Sequence, residues 1–409
     1  MSAETLLIVG GGLAAATAAE QLRANGFAGT IRIIAAERHR PYIRPPLSKG
    51  YLLGTEGRNA VDAQPAEWYE QNGIELILGA IATSVDPACH HVGLADGRAF
   101  DYDRLLLATG ASPRHLELPG AQSVGVHYLR TLDQSDDLRA ALSEGGRTVA
   151  VVGAGWIGLE LAAAAQVYGN EVTVIGRGEE PLQAAIGVEL GRVFRRMHEE
   201  HGVRFRMQAS PQSFIERDGA VAAVVTESGE VAADLVIVGA GVVPATALAA
   251  SAGLIVLDGI VVDESLRSSD TDIFAAGDVA NPWNAVLARH ARSEHWANAI
   301  ASGTVAAKTM LDIPAVLDDV PYFYTDQYDL GMEFSGYSSL LQTARVVYRG
   351  DVGAREFMAF WLAGDRVVAG MNVNVWDVHE QIVALVRSLE SVDREKLADP
   401  SVPLASLAG

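Results

Sequence analysis

Cysteine is nearly absent: the 409 residues include one, Cys89. That excludes an intramolecular disulfide, structural or catalytic, and any multi-cysteine metal site. Cys89 lies in Asp86-Pro87-Ala88-Cys89-His90-His91, a turn-like stretch that reads as carrying an inert thiol. Adjacent residues of a strand point to opposite faces, which discounts His90-His91 as a metal pair. Long apolar runs are missing too; none reaches the ~18 residues of a membrane span. Met1-Ser2-Ala3-Glu4-Thr5 has no basic n-region or cleavage site, and the first apolar stretch runs directly into a glycine turn. It reads as a first strand rather than a signal peptide, so the expected location is the cytoplasm. Positive charge is scarce: Lys and Arg number 31 against 51 Asp and Glu, a formal net charge of -20. This argues against nucleic acid, whose binding rests on neutralising phosphates, and against docking to anionic lipid. An acidic protein partner stays open, because docking depends on a local patch.

Glycine, by contrast, is plentiful, and it is placed. Leu6-Leu7-Ile8-Val9-Gly10-Gly11-Gly12-Leu13-Ala14-Ala15 and Val149-Ala150-Val151-Val152-Gly153-Ala154-Gly155-Trp156-Ile157-Gly158 are two Gly-x-Gly-x-x-Gly/Ala fingerprints, 143 residues apart. Each follows a strand-like run and precedes a helix-like one, which implies two dinucleotide sites. A protein holding two dinucleotides most simply passes electrons between them. Two further buried-type strands end in glycine, Leu105-Leu106-Leu107-Ala108-Thr109-Gly110 and Leu235-Val236-Ile237-Val238-Gly239; such runs suit parallel strands covered on both faces. The architecture therefore reads as α/β, with two Rossmann-like domains, the second inserted in the first. Residues 1–112 and 241–319 form one, and residues 113–240 the other. From residue 320 alternating stretches such as Ala344-Arg345-Val346-Val347-Tyr348-Arg349 and a helix near 377–390 predict a C-terminal α+β domain, 320–409.

At the first fingerprint the glycines let the backbone approach a pyrophosphate, and the helix N-terminus offers free N–H groups. Glu37 follows Gly12 by 25 residues, close to the spacing of a ribose-binding carboxylate. In Arg40-Pro41-Tyr42-Ile43-Arg44-Pro45-Pro46-Leu47-Ser48-Lys49, three prolines stiffen a backbone that carries three cations. Fixed cations suit a diphosphate and an electron-rich ring; a solvated basic loop is the alternative.

Gly10-Gly11-Gly12, Arg-Pro-Tyr-x-Arg-Pro-Pro-Leu-Ser-Lys, Ala108-Thr109-Gly110, Gly153-x-Gly-x-x-Gly-x-Glu160 and Ala276-Gly277-Asp278 come in that order. Together they resemble the FAD-dependent ferredoxin reductases that serve Rieske-type dioxygenases and bacterial cytochrome P450 systems, which share the glutathione-reductase-like fold. The resemblance spans essentially the whole chain. It implies FAD at the first fingerprint, on Gly10, Gly12, Leu13 and Ala14, with Glu37 on its adenosine ribose and Ala108, Thr109 and Gly110 nearby. It implies Arg44 and Lys49 along the flavin, Lys49 near N5, and Gly277 and Asp278 at the ribityl or phosphate region. His295 and Trp296 match a segment whose backbone meets the pyrimidine edge. The nicotinamide cofactor falls to Gly153, Gly155, Trp156, Ile157, Gly158, Arg177 and Gly239. Glu160, placed in the first turn of the following helix, matches a carboxylate that pairs with the N5 lysine. An ammonium would stabilise charge arriving with hydride, and a carboxylate would hold it in place; Glu160 as a plain helix-dipole acid is the alternative. Trp156 reads as a lid over the flavin or as a packed residue at a domain seam.

With Ser48 where peroxidases of this fold carry a cysteine, thiol relay chemistry has no carrier, and electrons must go from flavin to an external acceptor. The implied partner is a [2Fe–2S] ferredoxin feeding an oxygenase. Rubredoxin, a quinone or oxygen as acceptor, and a redox-sensing protein like apoptosis-inducing factor, are the other readings. At the tip of Val172-Thr173-Val174-Ile175 stand Gly176-Arg177, with Glu179-Glu180 beyond. Arg177 would suit the 2′-phosphate of NADPH and Glu179 a ribose hydroxyl; NADH is favoured, with NADPH as the alternative. An acidic ferredoxin needs a positive patch, for which Arg289-His290-x-Arg292 and Arg192-x-x-Arg195-Arg196 are candidates. Tyr322-Phe323-Tyr324 would cover the flavin edge or pack in the core.

Overall fold

The computed structural model describes residues 4–407. Along the chain, β1 (Thr5–Val9) leads into α1 (Leu13–Ala24), followed by β2 (Thr30–Ala35), β3 (Ile74–Leu78) and β4 (Arg104–Leu107). Next come β5 (Val126–Tyr128), β6 (Thr148–Val152), α2 (Trp156–Val167), β7 (Glu171–Ile175), α3 (Val188–Glu200), β8 (Arg204–Arg206) and β9 (Leu235–Val238). Then follow β10 (Ile273–Ala275), α4 (Trp296–Thr309), β11 (Tyr322–Gln327), β12 (Leu330–Gly336), β13 (Arg345–Asp351), β14 (Glu356–Ala363), β15 (Arg366–Val373) and α5 (His379–Ser388). The chain divides into two compact units. One holds the residues up to Arg44, Gly57–Ser112 and Val242–Asp319; the other holds Pro45–Glu56, Pro113–Gly241 and the chain from Val320.

The first unit is built on a parallel sheet in the order β10-β4-β1-β2-β3. Leu6, Leu7, Ile8, Leu105, Leu106, Ile273 and Phe274 are wholly buried, so these strands read as unbroken apolar runs because both faces are covered. The small residues of α1 allow α4 to lie against it. At Gly303 of α4 a Cβ would stand 2.7 Å from the Ala14 carbonyl oxygen, so a side chain there would force the helices apart.

The second unit repeats the plan, with a parallel sheet in the order β8-β7-β6-β9-β5. It also contains an antiparallel sheet, β11-β12-β15-β14-β13, against which α5 packs. Leu159 of α2, Phe194 of α3 and Met332, Phe334 and Trp361 of that sheet belong to one apolar cluster. Residues 45–56 join this unit through buried polar and apolar contacts. Ser135 Oγ donates to the Leu47 carbonyl (2.8 Å), Tyr51 Oη to Asp136 (2.7 Å) and Tyr168 Oη to the Leu52 carbonyl (2.7 Å). The class expected from sequence, two Rossmann-like parallel sheets with a C-terminal α+β part, is the class observed; the helix expected near 377–390 is shorter, at 379–388. Among the described residues no helix is long and apolar enough to cross a membrane.

Candidate active site

Both glycine turns obey the same contacts. The N–H groups of Gly10 and Gly153 donate across the sheet to Ile34 and Ile175. Both glycines have positive φ, +132° and +116°. A Cβ on either would lie 2.0 Å from the Ala108 oxygen or 2.2 Å from the Gly239 oxygen, so only glycine lets the turn close on the neighbouring strand. Gly12 and Gly155 are different. Each is the N-cap of a 12-residue helix, a Cβ on either would meet nothing within 4 Å, and neither helix has a side-chain cap or an acid in its first turn. Open space at uncapped, positively polarised N–H groups fits a pyrophosphate.

In the first unit, Glu37 stands beyond β2 with both oxygens engaged. Tyr42 Oη donates to Oε2 (2.5 Å) and Arg44 Nη2 pairs with Oε1 (3.0 Å). Arg44 Nη1 also donates to Tyr42 Oη, its guanidinium 5.0 Å from that ring's centroid. Arg44 and Lys49, grouped along one stretch in sequence, therefore have different partners: Arg44 serves Glu37, and Lys49 serves Glu160. Thr109 Oγ1 donates to the Ala245 carbonyl (2.8 Å), fixing the turn after β4. Gly277, at φ +74°, places its N–H on Ser302 Oγ (2.9 Å) and packs against Ala14. Asp278 follows, buried. His295 caps α4, and Trp296 opens that helix half exposed. Burial pushes the His295 imidazole down to about 4, with Asp278 acting the other way.

In the second unit, Lys49 Nζ lies 2.8 Å from Glu160 Oε1, a pair almost closed to solvent. Glu160 is the fifth residue of α2, so it stands in the second turn and not the first, as the fingerprint spacing suggested. That removes the plain N-terminal acid as its explanation, because the dipole effect fades beyond the first turn. Position and helical period instead put Trp156 and Glu160 on one face. Their partners are alternate residues of β11: Trp156 packs on Phe323 (centroids 5.0 Å apart), and Thr325 Oγ1 donates to Glu160 Oε1 (2.6 Å). Ser48 Oγ donates to the other oxygen, Oε2 (2.5 Å). Tyr324 lies under the ammonium, with Lys49 Nζ 5.4 Å from its ring centroid.

Trp156 also meets Phe194 edge-on at 5.5 Å, and Phe323 stacks on Phe334. Ile157 is exposed at the helix mouth. Gly158 fits only as glycine, since its Cβ would stand 2.0 Å from the Gly153 oxygen. At the tip of β7 a Cβ on Gly176 would lie 2.8 Å from both Ala154 Cβ and Met207, so a side chain there must displace its neighbours. Arg177 is exposed. Glu179, expected near a ribose, pairs with Arg192 (3.0 Å), and buried Glu180 with Arg192 (3.3 Å) and Arg195 (3.5 Å). The candidate basic patches are thus largely neutralised: Arg195 also pairs with Glu199, and Arg292 with Asp258 and Glu294. Only Arg196 and Arg289 of these stretches are exposed without an ion pair among the described residues. Sequence reasoning gave no role to Thr325, Gln327 or His198. The period-two alternation through 323, 325 and 327 was the signal that they share a face.

A family model described as pyridine nucleotide-disulphide oxidoreductase matches residues 4–303, and one described as reductase C-terminal matches residues 322–408. The chain is 40% identical over 405 residues to the ferredoxin–NAD(+) reductase component of the anthranilate 1,2-dioxygenase system of Burkholderia cepacia, covering 99% of each chain. Its fold matches the ferredoxin reductase of the CYP199A2 system from Rhodopseudomonas palustris at a TM-score of 0.95, with 34% identity over 99% of this chain and 100% of that one. It matches the reductase in a covalent putidaredoxin reductase–putidaredoxin complex at a TM-score of 0.94, with 33% identity over 99% and 98%. Two uncapped glycine cradles, a buried Lys–Glu pair and these likenesses along the whole length place the chain in the pyridine nucleotide-disulphide oxidoreductase family, among the FAD-dependent ferredoxin reductases of oxygenase systems.

Proposed function

We propose that this chain is a cytoplasmic NAD(P)H:ferredoxin oxidoreductase that delivers single electrons to a [2Fe–2S] ferredoxin serving an oxygenase. The observation that carries this reading is the buried Lys49–Glu160 pair in a chain with a dinucleotide cradle in each unit. When bound, FAD supplies the conversion from two-electron hydride uptake to one-electron delivery. Residues 1–112 and 241–319 would form its domain, 113–240 that of the nicotinamide cofactor, and 320–409 an interface domain.

In this reading Gly10, Gly12, Leu13 and Ala14 hold the FAD pyrophosphate, Glu37 orients the adenosine ribose, and Arg44 holds Glu37. Ala108, Thr109 and Gly110 line the turn beside it. Gly277, Asp278, His295 and Trp296 hold the remainder. Gly153, Gly155, Ile157, Gly158 and Gly239 admit the nicotinamide dinucleotide, with Trp156 beside it and Arg177 at its ribose. Lys49 stabilises negative charge that develops on the flavin, and Glu160 keeps the ammonium in place. A preorganised charge of this kind acts in a water-poor site without reorganising. Purified protein incubated with FAD should be yellow and should reduce cytochrome c with NADH only when ferredoxin is added. Equal reduction without ferredoxin would overturn the assignment of the acceptor.

A further inference from the structure

The Lys49–Glu160 pair is one end of a longer run of polar side chains, all within the second unit and all buried. Glu160 is 4%, Thr325 0%, Gln327 2% and His198 0% exposed. Thr325 Oγ1 donates to Glu160 Oε1 (2.6 Å), and Gln327 Nε2 donates to Thr325 Oγ1 (3.0 Å). His198 Nε2 lies 2.8 Å from Gln327 Oε1. Donor and acceptor chemistry fixes the direction. A carboxylate only accepts, so the threonine proton points to it. The hydroxyl then accepts from the glutamine amide, whose oxygen is left facing the imidazole. His198 must carry its proton on Nε2. Its Nδ1 has no hydrogen-bond partner among the described residues, and the imidazole packs edge-on with the rings of Phe205 and Tyr328.

We infer that Thr325, Gln327 and His198 are positioning residues that hold Glu160, and through it Lys49, in the orientation the reaction needs. Four buried polar groups in series would be unfavourable as mere packing. The carboxylate, the hydroxyl, the amide and the imidazole Nε2 find partners in this order, and His198 Nδ1 alone is left without one among the described residues. The series runs through three elements: α2 gives Glu160, β11 gives Thr325 and Gln327, and α3 gives His198. It ends on the one carboxylate oxygen that Lys49 also meets. The function of the C-terminal sheet in this site is therefore specific: its first strand aims the acid.

This inference rests on the reductase reading above. Thr325→Val keeps the shape and deletes the donor. It should lower kcat for NADH-dependent ferricyanide reduction about tenfold, the size of one hydrogen bond to a charged group. KM for NADH should stay within twofold, and the flavin midpoint potential should become more negative. Thr325→Ser should restore all three. On the unmodified holoenzyme, 15N spectra should show His198 as the neutral Nε2–H tautomer, assigned by loss of its signals in His198→Gln. A Thr325→Val enzyme with unchanged kcat and potential, or an Nδ1–H tautomer at His198, overturns the inference. Wild-type protein that takes up no FAD, or reduces nothing with NADH, would instead overturn the reductase reading, and the tautomer would still judge the series.

Discussion

The two glycine turns start alike and finish differently. In each, the first glycine closes on the strand beside it and the second opens a helix N-terminus. At the third position the first unit has Ala15, fully buried, while the second has Gly158, where a methyl would strike the Gly153 oxygen. A Cβ on Gly239 would stand 3.4 Å from the Gly158 backbone, so three glycines come together at a point where the first unit has Ala15 and Ala108. The strand tips differ as well. Glu37 is presented by Tyr42 and Arg44, whereas the second unit offers Gly176 and exposed Arg177 and turns its acids onto Arg192 and Arg195. The phosphate end of each cradle is thus fixed by backbone geometry. The ribose end is left to side chains, and these follow no common rule.

The sharpest way to break the comparison is to exchange the third residues. Gly158→Ala should lower stability by about 3 kcal/mol, the upper end for overpacking because the clash is with backbone. It should abolish detectable NADH binding by titration while FAD stays bound. Ala15→Gly should be milder, about 1 kcal/mol, from helix propensity alone; equal losses for the two would mean the helices sit at the same distance. Next in size, Lys49→Met should slow bleaching of the flavin by NADH about a hundredfold in stopped flow, as expected for removing one preorganised charge. An unchanged rate would remove the lysine from the chemistry.

Each unit also has one histidine whose imidazole burial pushes down to about 4, His295 and His198. Such a group binds protons more readily unfolded, so stability is full above the ordinary value of 6.5 and falls as pH drops toward 4. For fully buried His198 the loss between pH 7 and 5 should be about 2 kcal/mol in urea midpoints. His295, which is only partly buried, should contribute less. His198→Gln should flatten that acid limb more than His295→Gln does. The smallest effect belongs to the ribose end. NADH should be the better donor, and Arg177→Gln should lower kcat/KM for NADPH about fivefold while leaving NADH within twofold. Equal effects on both cofactors would take Arg177 away from the 2′ position.

Local patterns exposed the parallel sheets, because strands covered on both faces are apolar without interruption, and exposed the cradles, because only glycine fits a positive φ against a carbonyl. They paired Lys49 with Glu160 only through resemblance, since the two are separated by 111 residues and nothing local links them. They misplaced Glu160 by a turn, because helix starts cannot be read to the residue. They also offered Arg192, Arg195 and Arg292 as free charge. Composition counts cations but not the acids that fold onto them.

What the amino-acid order determined alone is the set of short-range constraints: where backbone must turn left-handed, where a helix begins without a cap, which strands are buried. Folding decided which distant side chains share an atom. His198, Gln327 and Thr325 reach Glu160 in series only because a strand from the C-terminal sheet contributes side chains between two helices of the dinucleotide fold. A hydrogen bond depends on angstroms in space, and separation along the chain carries no information about that.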